Sequence, residues 1–142
     1  MLYNVPPANE IQDLPEPEIQ FNLRNLIYTW NAEAGYNYKL DTITLPMLTI
    51  LTKIASNLPV RVRLYQSKQQ RQQDLYRPPY INPESLMQRG IFLDAILSGN
   101  GEELELQLSP VPVRADSQQC PMVIEKMFPH AATINLRFDF IG

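Results

Sequence analysis

Apolar and polar residues alternate with a period of two in several short stretches of this chain, the period that puts successive side chains on opposite faces of a β-strand. Ile19, Phe21 and Leu23 alternate with Gln20, Asn22 and Arg24. The stretch continues through Ile27, Tyr28 and Trp30, whose β-branched and aromatic side chains favour a continued strand over a short helix. Asn31 to Asn37, with Gly35, punctuates it. A short strand is predicted from Tyr38 to Leu45, ended or bulged by Pro46. Leu48 to Ala55 and Val60 to Tyr65 then read as a β-hairpin across a turn at Ser56, Asn57, Leu58 and Pro59. In its second arm Val60, Val62 and Leu64 alternate with Arg61, Arg63 and Tyr65, which predicts one core face and one polar face.

Gln66 to Leu75 breaks the pattern. It is rich in glutamine, has few β-branched residues and carries Ser67 as a cap, so a solvent-facing helical turn or two over a sheet edge is expected. Tyr76 to Asn82, YRPPYIN, follows as a proline-stiffened aromatic loop that the helix cannot enter. After Pro83 to Gly90, a strand from Ile91 to Leu97 and one from Glu102 to Leu108 read as a second hairpin about a tight turn at Gly99, Asn100 and Gly101. Pro110, Val111 and Pro112 are expected to break that ladder, and Ala115 to Gln119 to form a polar loop. Met122 to Phe128 offers another strand. Ala132 to Ile141 closes the chain, with Ile134, Leu136, Phe138 and Phe140 on one face.

These elements define an all-β chain: an antiparallel β-sandwich or jelly-roll-like fold of seven to eight strands with one short helix, because short strands joined by Pro and Gly turns must hide their apolar faces on a second sheet. At 142 residues the chain has the size of one domain, here 18–142. Residues 1–17, MLYNVPPANEIQDLPEP, form an extended Pro-rich N-terminal arm, since Pro6, Pro7, Pro15 and Pro17 suit neither helix interior nor ladder. Leu2, Tyr3, Val5, Ile11 and Leu14 have no periodic partner within it, which fits docking on a neighbouring subunit as well as a poorly ordered terminus.

Composition narrows the function by exclusion. A net charge of −3 and the lack of any basic run argue against nucleic-acid binding, which draws its affinity from clustered Lys and Arg. The longest uncharged apolar stretch, near Leu45 to Leu51, is interrupted by Pro46 and too short to cross a bilayer. The N-terminus lacks a basic flank and apolar run, so no signal peptide is expected. With one cysteine, Cys120, and one histidine, His130, the chain offers no disulfide and no Cys/His set for zinc. No Gly-rich phosphate loop or G-x-S-x-G elbow occurs, and Glu103 and Glu105 alternate onto the outer face of a strand rather than facing each other across a cleft. No catalytic, cofactor-binding or metal-binding residue is assigned, no cofactor is expected, and the chain is not read as an enzyme.

What remains is contact chemistry. Arg61 and Arg63 suit an anionic or sugar ligand, or pairing with acidic side chains across a sheet or at a subunit contact. Tyr76, Arg77 and Tyr80, beside Pro78 and Pro79, offer large contact area, as interface residues do, or cover one end of the core.

VRVRLY at Val60 to Tyr65, the polar stretch with Arg71 and Asp74, Arg77 and Pro78, GIFLDAIL from Gly90 and LQLSPVPV from Leu106 together resemble small β-sandwich structural proteins of the virions of tailed bacteriophages. The likeness spans about residues 45–140 and is one of pattern, with no diagnostic motif. Glutamines and lysine replace the usual small residues of the polar stretch, and the arm has no counterpart. The resemblance implies a virion protein, assembled in the host cytoplasm, whose partners are other copies of itself and other virion proteins in the tail, baseplate or fibre-attachment region. Capsid decoration is the second position it allows. A carbohydrate-binding module contacting a host glycan through Trp30, Tyr36 and Tyr38 is the reading from a different class.

Overall fold

The computed structural model describes residues 23–81, 89–99 and 101–142. The arm with Leu2, Tyr3, Val5, Ile11 and Leu14, and the predicted strand start at Ile19 and Phe21, lie outside the described residues. Eight strands follow: β1 Leu23–Ala32, β2 Tyr38–Thr44, β3 Thr49–Ser56, β4 Val60–Tyr65, β5 Ile91–Leu97, β6 Leu104–Val113, β7 Gln119–Lys126 and β8 Ala132–Ile141. Among the described residues one helix, α1 Lys68–Asp74, stands between β4 and β5.

The strands form two four-stranded antiparallel sheets, ordered β1-β8-β3-β6 and β2-β7-β4-β5. Pairing runs β1 with β8, β2 with β7, β3 with β6 and β4 with β5, so the chain is one long ribbon doubled back between β4 and β5. Successive pairs of the ribbon alternate between the sheets, and β3–β8 and β7–β4 contacts knit each sheet together. That winding is the eight-stranded jelly roll. Val60, Val62 and Leu64 of β4 and Ile134, Leu136 and Phe138 of β8 are fully buried in the large core cluster between the sheets. The predicted inward faces of both strands are therefore those the structure uses.

Both predicted hairpins are corrected. β3 and β4 lie in different sheets, and so do β5 and β6; each short turn is a corner that carries the chain across the core. A period of two is the same for either arrangement, because it records only which face is buried. A few extended residues span the roughly 10 Å between sheets as readily as the roughly 4.8 Å between neighbouring strands. The corner at Ser56 to Pro59 is fastened to β8: the Asn57 amide donates to Thr133 O, and its Oδ1 accepts from the Asn135 N–H.

Pro110 and Pro112 do not end β6, which continues to Val113. β6 is an edge strand, so the missing proline N–H groups leave only one neighbour to satisfy; Pro110 falls at the irregularity opposite Leu51 to Lys53, whereas Pro112 keeps its register opposite Ile50. On the opposite side of the sandwich the Tyr28 hydroxyl of β1 donates to the Asp41 carboxylate of β2 across 2.6 Å, joining the two sheets. That hydrogen bond, working against burial, holds the Asp41 carboxyl below its ordinary value.

Candidate contact site

Residues 66–81, which follow β4, fold back over the outer face of the second sheet. α1 begins where expected: Ser67 Oγ accepts from the Gln70 N–H, and the Ser67 hydroxyl donates to Gln70 Oε1, a reciprocal cap. Arg71 reaches down to donate to Asp41 O at 2.9 Å. The helix lies over the face of the sheet rather than its edge, because Tyr65, Leu75, Ile91 and Val123 make a small apolar cluster of their own beneath it. Gly90 closes the segment at φ +66°, where a β-carbon would collide with the Gln70 side chain.

This cover corrects the polar face predicted for β4. All six residues of β4 are buried, Arg61 and Arg63 to 1% exposure each, so neither offers a surface to a subunit or an external ligand. Burying a guanidinium is tolerable only when its charge is matched and its donors are used. Arg61 donates Nε and Nη2 to the two oxygens of Asp94, 2.9 Å each, and Nη1 to the backbone oxygen of Arg77 at 2.9 Å. Arg63 donates to Glu125 and to the backbone oxygens of Asp74, at 2.9 Å, and Leu75, at 3.2 Å. Its Nε is left without a hydrogen-bond partner.

Arg77 completes the lock from above. It donates Nε and Nη2 to Asp74 at 2.7 and 3.0 Å, Nη2 also to Asp94 at 2.6 Å, and Nη1 to Ile81 O at 2.8 Å. The Tyr65 hydroxyl donates to Asp74 at 2.6 Å. Three arginines and three carboxylates thus interlock the covering segment with β4, β5 and β7, with no net charge.

The electrostatics follow from that matching. Burial opposes ionisation of Asp74, but hydrogen bonds from Arg77 and Tyr65 and the charges of Arg77 and Arg63 outweigh it, so its carboxyl is held below the ordinary range. Asp94 is also depressed: burial is overcome by Arg61 and Arg77. Burial, reinforced by the bond to Asp74, pushes the Tyr65 hydroxyl up. Each carboxylate of this cluster, Asp74, Asp94 and Glu125, is paired with an arginine.

Above the cluster, Tyr76 and Tyr80 stand 79% and 82% exposed, and Ile81 beside them is exposed as well. Of the residues expected to make contacts, Tyr76 and Tyr80 lie at the surface of the covering segment, whereas Arg77 turns inward to anchor it. Ile81 was missed by the sequence reading; its place directly after Tyr80 in a loop was the available signal. His130, the sole histidine, lies exposed against the ring of Phe128, and Cys120 is buried, its thiol pushed up by burial to about 12.

The fold and site define a β-sandwich of jelly-roll winding that holds an aromatic loop rigid on an internal lattice of ion pairs. No protein-family model matches the chain, and no curated protein matches it.

Proposed function

We propose that this chain is a structural building block that works by protein–protein contact, and that the particle it builds is the virion of a tailed phage, in the tail, baseplate or fibre-attachment region. Capsid decoration is the alternative position. The observation that carries the reading is the pairing of exposure with rigidity at one place: Tyr76, Tyr80 and Ile81 face outward on a segment that Arg61, Arg63 and Arg77 clamp to the sheet. Aromatic groups presented on a preordered loop lose little conformational freedom when a partner covers them, and large aromatic side chains dominate the energetics of protein contacts. The jelly roll is shared by capsid and lectin domains, which accords with this role without dictating it. The phage assignment itself comes from the pattern resemblance of residues 45–140.

Light scattering on the full chain, on a Tyr76→Ser/Tyr80→Ser/Ile81→Ser variant and on a chain lacking residues 1–17 tests the proposal. The full chain is expected to self-associate, and both altered chains to fall to monomer mass while unfolding at the parent's urea midpoint. One common mass for all three would defeat the assembly reading. Portal, sheath or tape-measure genes beside the coding gene would support the particle assignment, and metabolic neighbours would overturn it.

A further inference from the structure

The loop from β1 to β2 builds a second site, lined by none of the residues of the aromatic loop. Trp30, Asn31, Glu33, Tyr36, Asn37 and Tyr38 line one open pocket of about 420 Å³, a size in the range of small-molecule sites. Tyr36 is 72% and Tyr38 49% exposed, while Trp30 is buried at the end of the core. Exposed tyrosines on a mobile loop would mean little, but this loop is held at nearly every residue. The Asn37 amide donates to the backbone oxygens of Glu33, at 3.3 Å, and Ala34, at 3.0 Å. The Gly35 N–H donates to Pro129 O at 2.6 Å, with Gly35 at φ +107°. The Lys126 N–H donates to Asn37 O at 2.9 Å, and its ammonium donates to Glu33 O while lying 4.9 Å from the Phe128 ring centre.

From this arrangement we infer that the pocket is a binding site for a neutral sugar. Pyranose rings present an apolar C–H face and a rim of hydroxyls; the tyrosine rings offer stacking surfaces for the first. Asn31 Nδ2, Asn37 Oδ1 and the Glu33 carboxylate offer polar groups for the second, the Asn37 Nδ2 and Asn31 Oδ1 being already bonded within the chain. Among the described residues, the bonds at Glu33 fall on its backbone oxygen, which leaves its carboxylate available to accept from hydroxyls. Among the described residues no cationic side chain lines the pocket, and the Lys126 ammonium is buried and donates to Glu33 O. Anionic sugars and phosphates therefore meet the Glu33 carboxylate with no cationic side chain in the lining to bind them. The rigid loop lets the site bind without first being ordered. The inference goes beyond the assembly role and does not rest on it.

Trp30 is the sole tryptophan of the chain and lines the pocket, so intrinsic fluorescence reports on this site directly. The full chain is titrated to millimolar levels with maltotriose, cellotriose, chitotriose and galactobiose, with choline and a sulfated disaccharide as contrasts, and is applied in parallel to a glycan array. A saturable change with at least one neutral oligosaccharide is expected. Tyr36→Ala and Tyr38→Ala should each weaken that binding roughly tenfold, the scale of one aromatic stacking contact. Tyr76→Ala should bind as the parent does, and all three variants should keep the parent's urea midpoint. Silence from every neutral sugar on both platforms, binding of choline or the sulfated sugar alone, or undiminished binding by both pocket variants would overturn the inference.

Discussion

Replacing Arg77 by methionine isolates what the ion-pair lattice contributes. Methionine keeps much of the side-chain stem and its packing while removing a guanidinium that makes three short bonds to Asp74 and Asp94 and one to Ile81 O. Breaking a buried ion pair from one side costs about 3–5 kcal/mol. Here Asp94 keeps its two-pronged bond from Arg61, and Asp74 keeps Tyr65 and Arg63, so neither carboxylate is stranded. The lower end, about 3 kcal/mol, is therefore expected. For a domain with a total stability of about 5–15 kcal/mol the variant still folds, and its urea midpoint falls by roughly 1–2 M. Hydrogen exchange should locate the change: amides of Arg77 and Ile81, which donate to Asp74 O and Pro78 O, lose protection, while those of β8 retain theirs relative to global unfolding. The difference between parent and variant should shrink in acid, because protonating Asp74 and Asp94 removes the partners of Arg77 in the parent too. A midpoint within about 0.3 M of the parent's, which is under 1 kcal/mol, would refute the idea that this lattice holds the segment down.

Two further outcomes follow from the buried groups. Asp41, Asp74 and Asp94 all have carboxyls depressed below their ordinary value of 3.8, so the stability they contribute is fully present above that value and is lost as the pH falls through it toward their folded values. Thermal melts should hold level from pH 7 to about 5 and drop steeply below about 4; a flat profile down to pH 2.5 would contradict the matched-charge account. Cys120, buried and with its thiol raised to about 12, should react with a thiol reagent at pH 8 at least about a hundredfold more slowly in the native chain than in urea, and equal rates would show that the strand end opens freely.

Much of this fold can be read along the chain. The alternation at Val60 to Leu64 and at Ile134 to Phe140 marks the faces that meet in the core, Ser67 marks the start of α1, and Gly35 marks the turn after β1. Each of these signals is local. A strand's period comes from its own backbone, and a cap is satisfied three residues away, so no knowledge of the remaining chain is needed. The aromatic residues at both candidate sites are legible for the same reason, since exposed Tyr beside Pro or Gly in a loop is visible before any fold is known.

Which strand lies beside which could not be read this way. The turns at Ser56 to Pro59 and Gly99 to Gly101 look like hairpins, yet they cross between sheets, because β8 and β7 arrive from far along the chain to occupy the places next to β3 and β4. The fate of Arg61 and Arg63 depends on the same long-range arrivals. Arg63 stands directly opposite Asp94 in the β4–β5 register, but it is Arg61 that binds Asp94, while Arg63 turns to Glu125. A polar face on a strand means solvent only until another segment covers it; α1 and the loop after it cover this one. Local alternation fixes which side chains share a face, whereas the environment of that face is set by contacts between residues distant in the chain, and these exist only once it has folded.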